Sequence, residues 1–136
     1  MLEIYSSNQT ITSNSLLPFT SVALQKGNTQ QLSGSNSVVL NKCGLYEVTL
    51  EISGLPSEAG NVQIDMMKNN IAQTQSKISI PNAVTTSGVT GSLTTFVQVN
   101  TNACKCFCSS PTTINFNNSG VGMTNVETHM IIRKIY

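Results

Sequence analysis

The stretch VVLNKCGLYEVTLEI, residues 38–52, decides the fold of this chain. From residue 45 onward polar and apolar side chains alternate, which is the two-residue repeat of an extended strand. One side of that strand carries large apolar or aromatic groups: Tyr46, Val48, Leu50 and Ile52. The other side carries Glu47, Thr49 and Glu51. A helix would scatter the apolar groups around its axis, so the pattern predicts a strand with one buried and one solvated face.

The residues before this strand predict a bend in the chain. Residues 38–40 are a second run of strand-forming residues, and Asn41 and Gly44 lie at the junction between the two runs. Asparagine and glycine tolerate the backbone angles that a sharp corner needs. We therefore expect a strand, a tight corner and then the long core strand.

The same alternation continues after a segment rich in glycine and proline, residues 53–60, which we expect to be a loop. Val62 and Ile64 then alternate with polar residues and predict another half-buried strand. The predicted core from these two strands is Tyr46, Val48, Leu50, Ile52, Val62 and Ile64.

Asn69 and Asn70 indicate a two-residue hairpin, since asparagine tolerates left-handed backbone conformations. The return strand is expected over residues 71–80 and to end at Pro81, with a loop over residues 81–87. Long strands are expected over residues 89–99 and 122–136. About ten short strands without an amphipathic helix predict an all-β jelly-roll sandwich, with residues 1–136 as a single domain.

Composition argues against several classes of partner. Only 10% of residues are charged and the net charge is +1, so neither nucleic acid nor an acidic membrane surface is an expected partner. A surface with so little charge tends to associate, which favours a subunit of an assembly. The N-terminal residues do not have the pattern of a signal peptide and no apolar run reaches 18 residues, so we expect synthesis in the cytoplasm and no membrane insertion.

Three cysteines alternate with other residues near the end of the chain: Cys104, Cys106 and Cys108. On an extended strand their neighbouring Cα atoms lie about 7 Å apart, at the limit for a disulfide between them. Free thiols suit a reducing cytoplasm, while a disulfide to Cys43 or between subunits, and a metal site with Cys43 and His129, remain open alternatives.

The residue types for catalysis are dispersed. The single histidine, His129, has neither a nucleophile motif nor an evident orienting carboxylate, and the six acidic residues do not form pairs. We therefore expect no enzyme activity, no cofactor and no metal, and His129 is interpreted as a structural or interface residue.

The last residues of the chain are apolar on both faces of the predicted final strand. Met130 and Ile132 would lie on one face and Ile131 on the other, so one face would enter the core and the other would contact a neighbouring subunit.

Several segments in this order resemble the C1q/TNF-like family of trimeric jelly rolls. The matching segments are residues 18–22 (PFTSV), 26–28 (KGN), 38–40 (VVL), 44–48 (GLYEV) and 68–71 (KNNI), followed by the long strand near Phe96 and the final strand. More narrowly, the start MLEIY and the segment CKCFCSSP, residues 104–111, are similar to small phage-encoded C1q-like proteins. The chain has no Gly-X-Y tract, so a trimer would be held by globular contacts alone.

This resemblance implies a non-catalytic homotrimer with the last strand and the strand after Gly88 near the threefold axis. The candidate trimer interface is Phe96, His129, Ile131, Ile135 and Tyr136. It further implies a virion location on the capsid surface of a bacteriophage, as a capsid decoration or head fibre protein bound to major capsid proteins. The alternative is a receptor- or carbohydrate-binding tip of a phage or bacterial surface fibre, which would bind a cell-surface glycan.

Overall fold

The computed structural model describes residues 1–27, 29–100 and 107–136, and for residues 107–110 it describes the backbone alone. Within these ranges the chain forms eleven strands: β1 (Leu2–Ile11), β2 (Ser15–Leu16), β3 (Ser21–Gln25), β4 (Gln30–Ser33), β5 (Ser37–Lys42), β6 (Gly44–Pro56), β7 (Gly60–Lys68), β8 (Ile71–Ala83), β9 (Val89–Val99), β10 (Phe107–Asn118) and β11 (Met123–Lys134). None of the described residues belongs to a helix that is long and apolar enough to cross a membrane.

The strands pair antiparallel in two sheets. The front sheet has the order β3-β1-β11-β6-β9, and the back sheet has the order β4-β5-β10-β7-β8, with β2 pairing to β10. The chain passes repeatedly between them, because β5 and β6, or β10 and β11, follow each other in sequence but lie in different sheets. The all-β jelly roll predicted from the sequence is confirmed.

Alternating side chains of both sheets meet in one apolar core. From β6 the core contains Tyr46, Val48, Leu50 and Ile52, and from β7 it contains Val62 and Ile64, all of them at most 4% exposed. The Tyr46 hydroxyl donates a hydrogen bond of 2.6 Å to the backbone carbonyl of Lys42, so the ring is buried without an unsatisfied polar group.

The corner between β5 and β6 is as tight as the sequence predicts, and it explains why Gly44 is needed there. Gly44 has φ 142°, and a Cβ at this position would lie 2.1 Å from the backbone oxygen of Tyr136. The backbone N–H of Ile135 donates to the carbonyl of Leu45 at 2.7 Å, so the chain end continues the contact of β11 with β6. The C-terminal residues are thereby held against the corner.

The predicted asparagine hairpin is confirmed. Asn69 and Asn70 have φ 51° and 66°, the left-handed pair that a two-residue turn between twisted strands requires. The carboxamide oxygen of Asn69 also accepts a hydrogen bond of 2.9 Å from the backbone N–H of Thr113, which ties the turn to β10.

The loop predicted over residues 53–60 is wrong, because β6 continues to Pro56 and only residues 57–59 connect it to β7. Gly54 is a packing residue here, not a turn residue. A Cβ at Gly54 would meet the Met123 side chain at 2.9 Å and the Val126 side chain at 3.0 Å. The glycine therefore permits the close approach of β11 within a regular strand.

The predicted end of the return strand at Pro81 is also wrong, because β8 runs to Ala83. Strand β8 lies at the edge of the back sheet and its register with β7 shifts between Gly60 and Val62. Proline is tolerated at edges and irregular pairings, where its missing N–H breaks no ladder bond.

Candidate subunit interface

The outward face of the front sheet carries rows of side chains that cross the strands. The rows, set by the pairing register, are Glu127, Ser53 and Thr90; Tyr5, His129, Glu51 and Ser92; Glu3, Ile131, Thr49 and Thr94; and Arg133, Glu47 and Phe96. Side chains opposite each other on neighbouring strands lie within contact distance. Residues far apart in sequence therefore form one continuous surface.

His129 lies between carboxylates of both neighbouring strands and is hydrogen-bonded to one of them. Its Nε2 lies 3.0 Å from Oε2 of Glu3 on β1, and its Nδ1 lies 3.9 Å from Oε2 of Glu51 on β6. The imidazole and both carboxylates remain partly exposed. This arrangement can hold a positive charge between two negative ones.

A second ion pair lies in the last row of this face. Arg133 Nε donates to Oε1 of Glu47 at 2.8 Å, and Phe96 lies opposite Glu47 on β9. Phe96 is 57% exposed, which is unusual for a phenylalanine. An aromatic ring left in water next to an ion pair suits a contact with another molecule.

The structure places the predicted interface residues at two locations. Phe96, His129 and Ile131 share the outward face of the front sheet, with Ile131 half-buried between β1 and β6. Ile135 and Tyr136 follow the end of β11 and are 41% and 79% exposed. Their role in a subunit interface stays a prediction.

A depression of about 730 Å³ lies at the other end of the outward face. Residues 90–92 of β9 line one side of it, and they are Thr90, Gly91 and Ser92. Tyr5, Glu127 and His129 line it from β1 and β11. The residues that β9 contributes to the lining are small, and those from β1 and β11 include larger side chains.

Carboxylates are concentrated on the outward face of the front sheet. The chain has six acidic residues, and four of them, Glu3, Glu47, Glu51 and Glu127, belong to the rows described above. Among the described residues of these rows the basic side chains are Arg133 and His129. We call this surface, from β1 to β9, the acidic face.

Strands β8 and β9 form neighbouring edges of the two sheets. This side of the molecule differs in charge from the acidic face. Ser76 on β8 and Thr95 on β9 share a hydroxyl–hydroxyl hydrogen bond of 2.8 Å, so the two strands lie side by side. Lys77 lies on β8, and Lys68 Nζ donates to the carbonyl of Gln98 on β9 at 2.7 Å. From residue 66 to residue 126 the sequence contains no acidic residue, and Asp65 lies opposite Lys77 on β7. We call this surface the β8–β9 edge.

The cysteine predictions fall largely outside the described residues. Cys104 and Cys106 lie outside them, as does the side chain of Cys108, and Cys43 is half-buried in the corner before β6. Within the part of the chain that the structure describes, no group of three His, Cys, Asp or Glu side chains is arranged to hold a metal ion.

The contacts of His129 with Glu3 and Glu51 were not predicted from the sequence. Glu3 and His129 are 126 positions apart, and they meet because the first and last strands of the chain are neighbours in the front sheet. Only the sheet order carries this information. Once a jelly-roll order is assumed, the register of β11 between β1 and β6 would identify the pair.

Comparison with known proteins finds no matching family model and no matching curated sequence. Solved structures do match. The globular domain of zebrafish complement 1qA protein aligns with a TM-score of 0.69 at 10% identity, covering 99% of this chain and 96% of that one. The PRD1 vertex protein P5 aligns with a TM-score of 0.59 at 18% identity, covering 99% and 96%. Eiger TNF from S. frugiperda aligns at 0.60 with 11% identity, covering 98% and 92%.

These three structures share the fold over nearly the whole of each chain, although their identities to this chain are low. They include a complement domain, a TNF protein and a phage vertex protein. The resemblance drawn from the sequence is confirmed at the level of the fold: this chain has the C1q/TNF-like jelly-roll fold.

Proposed function

We propose that the chain is a non-enzymatic structural protein of a bacteriophage virion, which works as a homotrimer that decorates the capsid or forms a head fibre. The fold is shared with the vertex protein of a phage, which supports a virion location. The partners would be two further copies of the chain and the major capsid protein. We also infer that residues 1–136 act as one domain, since β1 and β11, the first and last strands, pair along their length.

The observation that carries the assembly is the unlike charge of two surfaces on the same chain. The acidic face holds four of the six carboxylates, while the adjoining β8–β9 edge holds Lys68 and also Lys77, which lies opposite Asp65. Unlike surfaces that attract each other favour a head-to-tail contact, in which the edge of one copy covers the face of the next. Such contacts close into a ring when the rotation between copies divides a full turn, and three copies do so at 120°.

Apolar groups at the same surfaces would supply the association energy. Phe96 stands where the acidic face meets the β8–β9 edge, and it is 57% exposed in the single chain. Covering an aromatic ring contributes roughly 2 kcal/mol through the apolar area removed from water. Charge complementarity would then set the orientation of the copies more than the affinity.

Measurement of the native mass together with capsid binding tests this proposal. The wild-type chain should be a trimer in light scattering and should sediment with capsids assembled from the major capsid protein. Phe96→Glu should weaken the trimer, because it puts a charge into the contact. Ser33→Glu on β4, the edge of the back sheet farthest from β8, adds the same charge and should leave the trimer intact.

Two results would count against the proposal in different ways. If the wild-type chain is a monomer at micromolar concentration, the proposed trimer is contradicted. A stable trimer that does not bind capsids but binds cells or glycans would replace the decoration role with that of a receptor-binding tip.

A further inference from the structure

His129 lies between two carboxylates of the acidic face. His129 Nε2 is 3.0 Å from Glu3 and its Nδ1 is 3.9 Å from Glu51, so the ring faces a carboxylate on each side. A neutral imidazole carries one N–H and can donate to one of them. An imidazolium carries two, so it can keep the hydrogen bond to Glu3 while its positive charge and second N–H face Glu51.

Among the residues of the rows on the acidic face, His129 is the basic residue that lies next to Glu3 and Glu51. From β1 it faces Glu3 and the phenol of Tyr5, from β6 it faces Glu51, and on β11 itself Glu127 lies two residues away. The positions that face it from β9 carry hydroxyls, of which Ser92 is in its own row. Arg133, the remaining basic group of the rows, is bonded to Glu47.

We propose that His129 is a proton-dependent switch of subunit association, in which protonation strengthens the contact made over the acidic face. The proposal rests on the homotrimer proposed above. When a second copy covers this face, the carboxylates of Glu3 and Glu51 lose water, which is costly for a charge without a partner. Protonated His129 compensates both carboxylates, whereas neutral His129 leaves Glu51 uncompensated.

The sign of the effect follows from this arrangement. Because the proposed assembled state favours the proton on His129, association is expected to be stronger at lower pH and weaker at higher pH. The lysines of the β8–β9 edge add attraction to the proposed contact.

Sedimentation of the full-length chain at about pH 5.5 and about pH 8 tests the switch. For the wild type we expect association weaker by about tenfold at the higher pH, the factor that corresponds to one modest interaction between charges. His129→Gln keeps a hydrogen-bonding side chain but cannot be protonated, and it should associate equally at both pH values. Glu58→Gln, which removes an exposed carboxylate in the connection between β6 and β7, should keep the wild-type pH response.

A second variant keeps the test independent of how well His129→Gln folds. Glu51→Gln lies at an exposed position, and because one carboxylate fewer needs the proton, its pH response should be smaller than that of the wild type. A wild-type trimer of equal affinity at both pH values overturns the switch but leaves the trimer standing. An unchanged pH response in folded His129→Gln also overturns it. A monomer at both pH values instead defeats the proposed assembly on which the switch rests.

Discussion

The two faces of β6 differ in what they contribute to this molecule. The inward residues, Tyr46, Val48, Leu50 and Ile52, are at most 4% exposed and belong to the core between the sheets. The outward-facing residues alternate with these, pair with β9 and β11 across the sheet surface, and remain at least partly exposed to water. They are Glu47, Thr49, Glu51 and Ser53. The inward face therefore determines that the chain folds, and the outward face determines what the folded chain can contact.

The largest expected effect comes from a deletion that removes inward-facing and outward-facing residues of β11 together. Deleting residues 130–136 takes away Met130 and Ile132, which are fully buried, and shortens β11 so that the N-terminal part of β1 and the first half of β6 lose the strand between them. We expect the shortened chain to be unfolded, because the C-terminal part of the central strand of the front sheet and its two buried side chains are lost. Circular dichroism and size-exclusion chromatography check this. A soluble folded trimer of the shortened chain would contradict the placement of β11.

A matched pair on β6 separates its two faces. Leu50→Ala should lower the free energy of unfolding by about 2–5 kcal/mol, because it leaves a cavity in the core. Thr49→Ala, one residue away on the outward face, should change it by less than about 0.5 kcal/mol. Urea unfolding of both variants at one fixed protein concentration measures the difference, and similar losses for the two would contradict the assignment of the faces.

Phe96 tests the outward face without touching the core. Since its ring is more than half exposed, Phe96→Ala should change the unfolding free energy of the single chain by less than about 1 kcal/mol while weakening association about tenfold or more. Analytical ultracentrifugation over a concentration series gives the association constant. A variant that loses fold stability and keeps its association would show that the ring serves the core.

The smallest expected effect is that of the ion pair beside Phe96. Arg133 is 58% exposed in its side chain, and exposed pairs of this kind contribute little because water screens them. In the background of Phe96→Glu, which should weaken the trimer, Arg133→Gln should therefore change the free energy of unfolding by no more than about 0.5 kcal/mol. Thermal melting of the variant and of its parent protein in parallel measures this change. A loss comparable to that of Leu50→Ala would contradict the exposed position of the pair in the single chain.

The difference between local signals and contacts between strands explains what could be predicted from the sequence. Alternation in β6 and the two asparagines at positions 69 and 70 are local signals, and the strand and the turn that they predict are found. Gly54 and Pro81 were interpreted as breaks because their roles depend on a neighbour: Gly54 admits Met123, and Pro81 lies on an edge strand. Their strand positions required knowledge of the sheet order.

The acidic face was beyond prediction for a related reason. Glu3, Glu51 and His129 are far apart in sequence, and nothing local to any of them indicates the other two. They meet because β11 pairs with β1 on one side and with β6 on the other. A list of dispersed carboxylates becomes a surface only after the strands have been put in order.

The native mass of the purified chain tests the central claim most directly. If the exposed apolar and charged surface of the front sheet is buried in contacts with other copies of the chain, light scattering at micromolar concentration should find three chains of 14.5 kDa each in one particle. A particle with the mass of one chain, unchanged on concentration, would contradict the claim.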